Sequence, residues 1–90
     1  MSTYNPCNAL PTIGDAGLET LRASWGLTRR QTEVAAHIAR GLTNKEVASE
    51  LRCEESTVEK HVTSVFRKTG LQNRVTLAAH FWVVVLVAAP

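Results

Sequence analysis

Helix start and stop signals recur along this chain at spacings that leave room for little besides short helices. Thr28-Arg29-Arg30-Gln31 has the form of a capping box, in which the threonine hydroxyl and the glutamine side chain satisfy backbone N–H groups left open at a helix start. Gly41 stops the pattern that follows, since glycine readily takes the left-handed conformation that ends a helix, and Leu42 can fold back over the last turn. Thr43-Asn44-Lys45-Glu46 is a second capping box, Ser56-Thr57-Val58-Glu59 a third, and Gly70 a second stop. Between these marks the apolar residues keep a helical period. Val34, Ala35, Ile38 and Ala39 share one face, as do Val47, Ala48 and Leu51, and then Val58, Val62, Val65 and Phe66. After Gly70, Leu71 is placed to pair with Phe66 in a Schellman stop, and Asn73 caps a last helix carrying Val75, Leu77, Ala78, Phe81 and Trp82. The expectation is an all-α domain of four helices.

At its edges the pattern weakens. Leu18 to Arg22 suggests a helical turn or two before Gly26. Residues 1–16 carry Pro6, Pro11 and Gly14 without periodicity and are expected to form an irregular arm or linker, with the domain over 17–90. The run Val83-Val84-Val85-Leu86-Val87 is β-branched and poor in local helix propensity, which leaves its conformation open.

Several function classes fall away on composition. Ninety residues allow one small domain, short for an enzyme that must build a deep, dry cleft. Two cysteines, Cys7 and Cys53, make neither a disulfide framework nor a zinc pattern, and His37, His61 and His80 lie far apart, so no metal or cofactor is expected. No signal peptide is visible, and the longest uncharged apolar run, Phe81 to Ala89, is nine residues against roughly 20 for a bilayer span. These features fit a soluble protein of a reducing, cytoplasmic compartment that does not enter membranes. The net charge is only +2, but residues 28–80 hold +3 of it and residues 1–27 hold −1, a tilt toward an anionic partner within the patterned half.

The informative object runs from Asn44 to Lys68: a short helix, a break of a few residues, and a longer helix. That is the outline of a helix-turn-helix, with Ala48 small enough for a close crossing and Cys53 filling a small apolar position beneath the turn. With the buried stripe centred on Val58 and Val62 at about 100° per residue, the opposite face holds Lys60, Thr63, Ser64 and Arg67, flanked by Glu59 and Lys68. These side chains suit base edges and phosphates in a major groove, and Lys45 at the start of the preceding helix suits a phosphate. The competing reading is an ordinary helix pair whose outer face is merely solvated.

Four segments carry a family resemblance: Leu27 to Val34, Gly41 to Ala48, Ser56 to Val62, and Phe66 to Leu71. In this order and spacing they resemble the LuxR-type, or GerE-like and FixJ/NarL-type, DNA-binding domain, over roughly residues 18 to 82. The resemblance implies a bacterial transcription regulator that binds double-stranded DNA sequence-specifically. Its third helix, about 55–69, would enter the major groove, and its fourth would mediate homodimerisation. Residues 1–16 are too few for the family's separate sensing domain. Carried over by position, Glu59, Lys60 and Thr63, together with the outward Ser64, face bases. Thr43, Asn44, Lys45, Ser56, Thr57, His61, Arg67 and Lys68 hold phosphates or support the recognition helix. The expected dimer contacts are Leu77, Phe81, Trp82, Val84 and Val85. RNA polymerase is a further candidate partner.

Two positions depart from the family pattern. Glu59 stands where lysine is frequent, and Glu54 where a serine or threonine cap is common, so the helix starts either at Glu54 or at Ser56. In the first case Glu59 points into the groove; in the second it is the third residue of a capping box. A second function therefore stays open: a protein-interaction module with the same fold, weakened DNA binding, and pairing through the apolar C-terminal helix.

Overall fold

The computed structural model describes residues 15–88. It contains five helices: α1 (Asp15–Trp25), α2 (Arg29–Ala39), α3 (Asn44–Leu51), α4 (Glu55–Thr69) and α5 (Arg74–Ala88), with no strand among the described residues. The arm expected over 1–16 lies outside the described residues as far as Gly14, as do Cys7 and the residues after Ala88.

Two of the capping boxes form as their spacing requires. Thr28 N–H donates to Gln31 Oε1 at 3.0 Å and Gln31 N–H to Thr28 Oγ1 at 3.1 Å. Thr43 and Glu46 exchange the same pair at 2.8 and 3.2 Å. Helix α2 then closes in a Schellman stop. Gly41 N–H reaches the Ile38 carbonyl, Leu42 N–H reaches that of His37, and Leu42 is buried. Helix α3 ends at Arg52, which takes the left-handed conformation at φ 56° so that Cys53 N–H can bond the Ala48 carbonyl and turn the chain sharply into α4. A non-glycine residue costs about 1 kcal/mol there.

Three local expectations give way. The third box is absent: α4 starts at Glu55 with Glu54 as N-cap, and no side chain caps it. The buried positions Val58, Val62 and Val65 and the tight turn at Arg52 fix where the helix begins, one residue ahead of Ser56. The stop at Gly70 (φ 74°) is a single αL bond, Gly70 N–H to the Phe66 carbonyl, rather than a Schellman pair, because Leu71 N–H is taken by Thr69 Oγ1. The turn or two expected around Leu18 is an eleven-residue helix. Leu21 is fully buried, Leu18 and Trp25 pack on the core beside it, and the Trp25 ring lies 6.4 Å from that of Phe81.

Helix α2 touches every other helix, and α1 lies along α5. The core joins Leu21, Val34, Val47, Val58, Val65, Leu77 and Phe81, all fully buried. Helix α5 turns by 66° from α4, is capped by Asn73 Oδ1 accepting from Thr76 N–H at 2.8 Å, and continues through the valine run. Burial of Val85 against the core outweighs its weak local propensity.

That burial also corrects the expected dimer surface. Leu77 and Phe81 are 0% exposed and Val85 6%, so they hold this chain together and cannot meet another. Val84 is half-buried, and Trp82 packs on the core with Nε1 donating to the Ala39 carbonyl at 2.9 Å. The outward apolar residues of α5 are instead Val75, Val83, Leu86 and Val87, 80, 60, 59 and 80% exposed.

On α2, burial pushes the His37 imidazole below its ordinary pKa of 6.5, helped by Arg40 and opposed by Glu50 and Glu33. The folded state therefore resists protonation at His37 while the unfolded chain accepts it from 6.5 downward. This contribution to stability is complete above 6.5, declines as the pH falls below it, and is gone once the lowered folded-state pKa is passed. Thermal melting between about pH 7 and pH 5.5 should show a falling Tm in the wild type and a flatter profile in His37→Gln. Parallel profiles would contradict the assignment.

Candidate nucleic-acid interface

The site is built on α4, and its orientation follows from which side of that helix is buried. Val58, Val62 and Val65 face the core, with Phe66 beside them. The helical period then aligns Ser56, Lys60, Thr63 and Arg67 on the far side, all four exposed. Glu59 is exposed on one flank; Thr57, Ser64 and Lys68 lie on the other, with Ser64 half-buried. His61 is half-buried at the margin of the core stripe.

Internal bonds hold parts of this face in place. Thr63 Oγ1 donates to the Glu59 carbonyl at 3.0 Å, and Arg67 Nη2 approaches Ser64 Oγ at 3.5 Å. Glu59 makes no capping bond, so the groove-facing alternative for it survives and the capping one does not. Lys68 Nζ donates to Gln31 Oε1 at 2.9 Å, the same oxygen that accepts from Thr28 N–H, which fastens the end of α4 to the start of α2.

The preceding helix contributes its first turn. Thr43 uses its hydroxyl as the cap, Asn44 is half-buried with Oδ1 accepting from Arg74, and Lys45 is exposed. The ion pairs among the described residues, Arg22 with Glu19 and Arg29 and Arg30 with Glu33, all lie on α1 and α2. Among the described residues, no carboxylate lies within ion-pair distance of Lys45, Lys60 or Arg67.

This surface is convex and donor-rich. An α-helix with its side chains, about 10–12 Å across, matches a major groove about 12 Å wide. Cations along the far side and short hydroxyl side chains between them can bond phosphates and base edges. Among the described residues no three His, Cys, Asp or Glu side chains gather as metal ligands. No single helix among them is long and apolar enough to cross a membrane. A groove of about 600 Å³ between α1 and α2, lined by Arg22, Arg29, Glu33, His37 and Arg40 among others, involves no residue of α4.

Three supporting residues could not be found from the sequence pattern. Gln31 reads as a cap, yet its oxygen also holds Lys68; Arg74 and Trp82 make hydrogen bonds to residues 30 to 43 positions away. Local periodicity carries no signal for such pairs.

Residues 26–81 match the family model described as bacterial regulatory proteins, luxR family. The chain is 38% identical over 55 residues to the nitrate/nitrite response regulator protein NarP of Escherichia coli, covering 61% of this chain and 26% of that protein. It is 39% identical over 54 residues to the transcriptional regulatory protein LnrK of Bacillus subtilis, covering 60% of this chain and 24% of that one. The match spans about a quarter of each relative's length. No solved structure gives a significant match.

Proposed function

The chain belongs to the luxR family of bacterial regulatory proteins, and from that membership we propose that it binds double-stranded DNA sequence-specifically as a cytoplasmic transcription regulator, with α4 in the major groove. The observation that carries this reading is the outer face of α4, where Lys60, Thr63 and Arg67 are exposed while Val58, Val62 and Val65 opposite them are buried. Glu59, Lys60, Thr63 and Ser64 then face bases. Thr43, Asn44, Lys45, Ser56, Thr57, His61, Arg67 and Lys68 hold or adjoin phosphates. The function is binding rather than catalysis, and it needs no cofactor. RNA polymerase remains a candidate partner for the bound regulator.

Selection of bound sites from random duplexes, followed by anisotropy titration across salt, tests the reading. A common motif should emerge, and log affinity should fall linearly with log salt by about 0.9 per phosphate engaged. A flat salt response and no enriched site would favour the second reading, a protein-interaction module. That reading draws support from Glu54, Glu55 and Glu59, three exposed carboxylates on the first turns of the helix that would meet DNA.

Self-association is assigned to the outer face of α5. Val75, Val83 and Leu86 form an apolar stripe along it that the chain's own core leaves uncovered, and a two-fold contact through one helix face is self-complementary. Sedimentation at tens of micromolar should show a dimer for the wild type and a folded monomer for Val83→Glu, because Val83 supports little of the core. A wild-type monomer would refute the assignment.

A further inference from the structure

Arg74, the first residue of α5, reaches back to the start of α3 with both prongs of its guanidinium. Nη1 donates to Asn44 Oδ1 at 2.9 Å, and Nη2 donates to the Leu42 carbonyl at 2.9 Å. The two acceptors straddle Thr43, the N-cap of α3. One side chain therefore clamps the link between α2 and α3 and, with it, the first helical residue of α3.

The chemistry of the pair fixes more than position. A guanidinium has donors only, so Asn44 must turn its amide oxygen toward Arg74. The amide is planar, and its two Nδ2 hydrogens are then held on the side away from the guanidinium. Released from that bond, the terminal torsion of an asparagine is broad and roughly two-fold, and it presents oxygen about as readily as nitrogen. An oxygen facing a phosphate is repelled, whereas an N–H donor is bound. Asn44 sits beside the exposed Lys45 at a helix start, where open backbone N–H groups already favour an anion.

We propose that Arg74 is a positioning residue for DNA-backbone binding, orienting the Asn44 amide so that it donates to a phosphate. The inference rests on the DNA-binding function proposed for α4. Lysine cannot replace the arginine, because one ammonium lacks the planar fork that spans two separate carbonyl-type acceptors.

Anisotropy titrations with a mixed-sequence duplex pool suit the test, since phosphate contacts are indifferent to sequence. Arg74→Lys keeps the charge; it and Asn44→Ala should each weaken binding about three- to tenfold, and the double variant should bind no worse than the weaker single. In spectra of the free protein, the Asn44 side-chain amide resonances should move in Arg74→Lys, and in the wild type they should move again on adding duplex. A merely structural brace would also be non-additive, since the two residues share one bond, but it would lower Tm in step with affinity and leave the Asn44 amide resonances unmoved by duplex. The inference is overturned if Asn44→Ala binds like the wild type, if the two single losses multiply in the double variant, or if duplex leaves the Asn44 amide resonances unmoved. Should Arg74→Lys fail to fold, the Asn44→Ala titration and the wild-type spectra decide alone. Loss of affinity in Lys60→Ala but not at Asn44 or Arg74 sinks this inference and spares DNA binding. A wild type that binds no duplex sinks both.

Discussion

Phe81→Ala should leave this domain unfolded or close to it. The ring is fully buried, lies 6.4 Å from the Trp25 ring in a tilted contact and 5.4 Å from the Trp82 ring in an edge contact, and so joins α1 to α5. Truncating a buried phenylalanine costs about 3–5 kcal/mol, from lost transfer energy and from the cavity left behind. Whole domains are stable by about 5–15 kcal/mol, and a small one sits toward the lower end. One substitution would therefore remove most of the margin. Removing the ring also frees Trp25, so α1 should fray even in molecules that keep the other helices. Denaturant unfolding measures the loss, with Gln72→Ala as the contrast: Gln72 is exposed and outside the apolar stripe of α5, and its truncation should stay within about 0.5 kcal/mol. A Phe81→Ala variant within about 1 kcal/mol of the wild type would mean that α1 does not pack on α5 through this ring.

Lys60→Ala and Lys45→Ala should both weaken DNA binding, but in different ways. Lys60 lies at the centre of the far side of α4, where its ammonium can reach acceptors on base edges. Its loss should cost about 1–3 kcal/mol at the preferred site and far less on random sequence. Lys45 lies in the first turn of α3 and, with α4 in the groove as proposed, would sit beside the DNA backbone. Its loss should weaken every duplex about equally and lower the salt slope by about one. Neither change should alter stability, since both side chains are exposed and outside the ion pairs on α1 and α2. Competition between a selected site and random duplex across salt separates the two effects. Equal losses on both DNAs from both variants would remove the distinction between reader and anchor.

The donor-rich face of α4 is legible in the sequence because the signal for it is local. The 3.6-residue period of Val58, Val62 and Val65 tells which side is buried, and geometry alone sends Lys60, Thr63 and Arg67 to the other. The boxes at Thr28 and Thr43 are equally legible, since each bond closes within three residues. The box at Ser56 has the same residue pattern and does not form. Its failure lies in the turn at Arg52 and the docking of α4, which start the helix at Glu55 and deny Ser56 the capping position.

Helix α5 shows the same division more sharply. It is apolar nearly all round, so periodicity cannot say which side is core, and the expectation that Leu77, Phe81 and Val85 form an outer surface fails. Packing against α1 and α2 makes that choice. Tertiary contact also sets the length of α1, continues α5 through a valine run, and ties Lys68 to Gln31, Arg74 to Asn44, and Trp82 to Ala39. The sequence by itself determined what bonds and periods within a few residues can encode: the four helices α2 to α5, the caps at Thr28, Thr43 and Asn73, and the donor-rich face of α4. The tertiary structure alone decided which apolar faces meet and which distant side chains pair, because burial and long-range hydrogen bonds depend on elements brought together only when the whole chain folds.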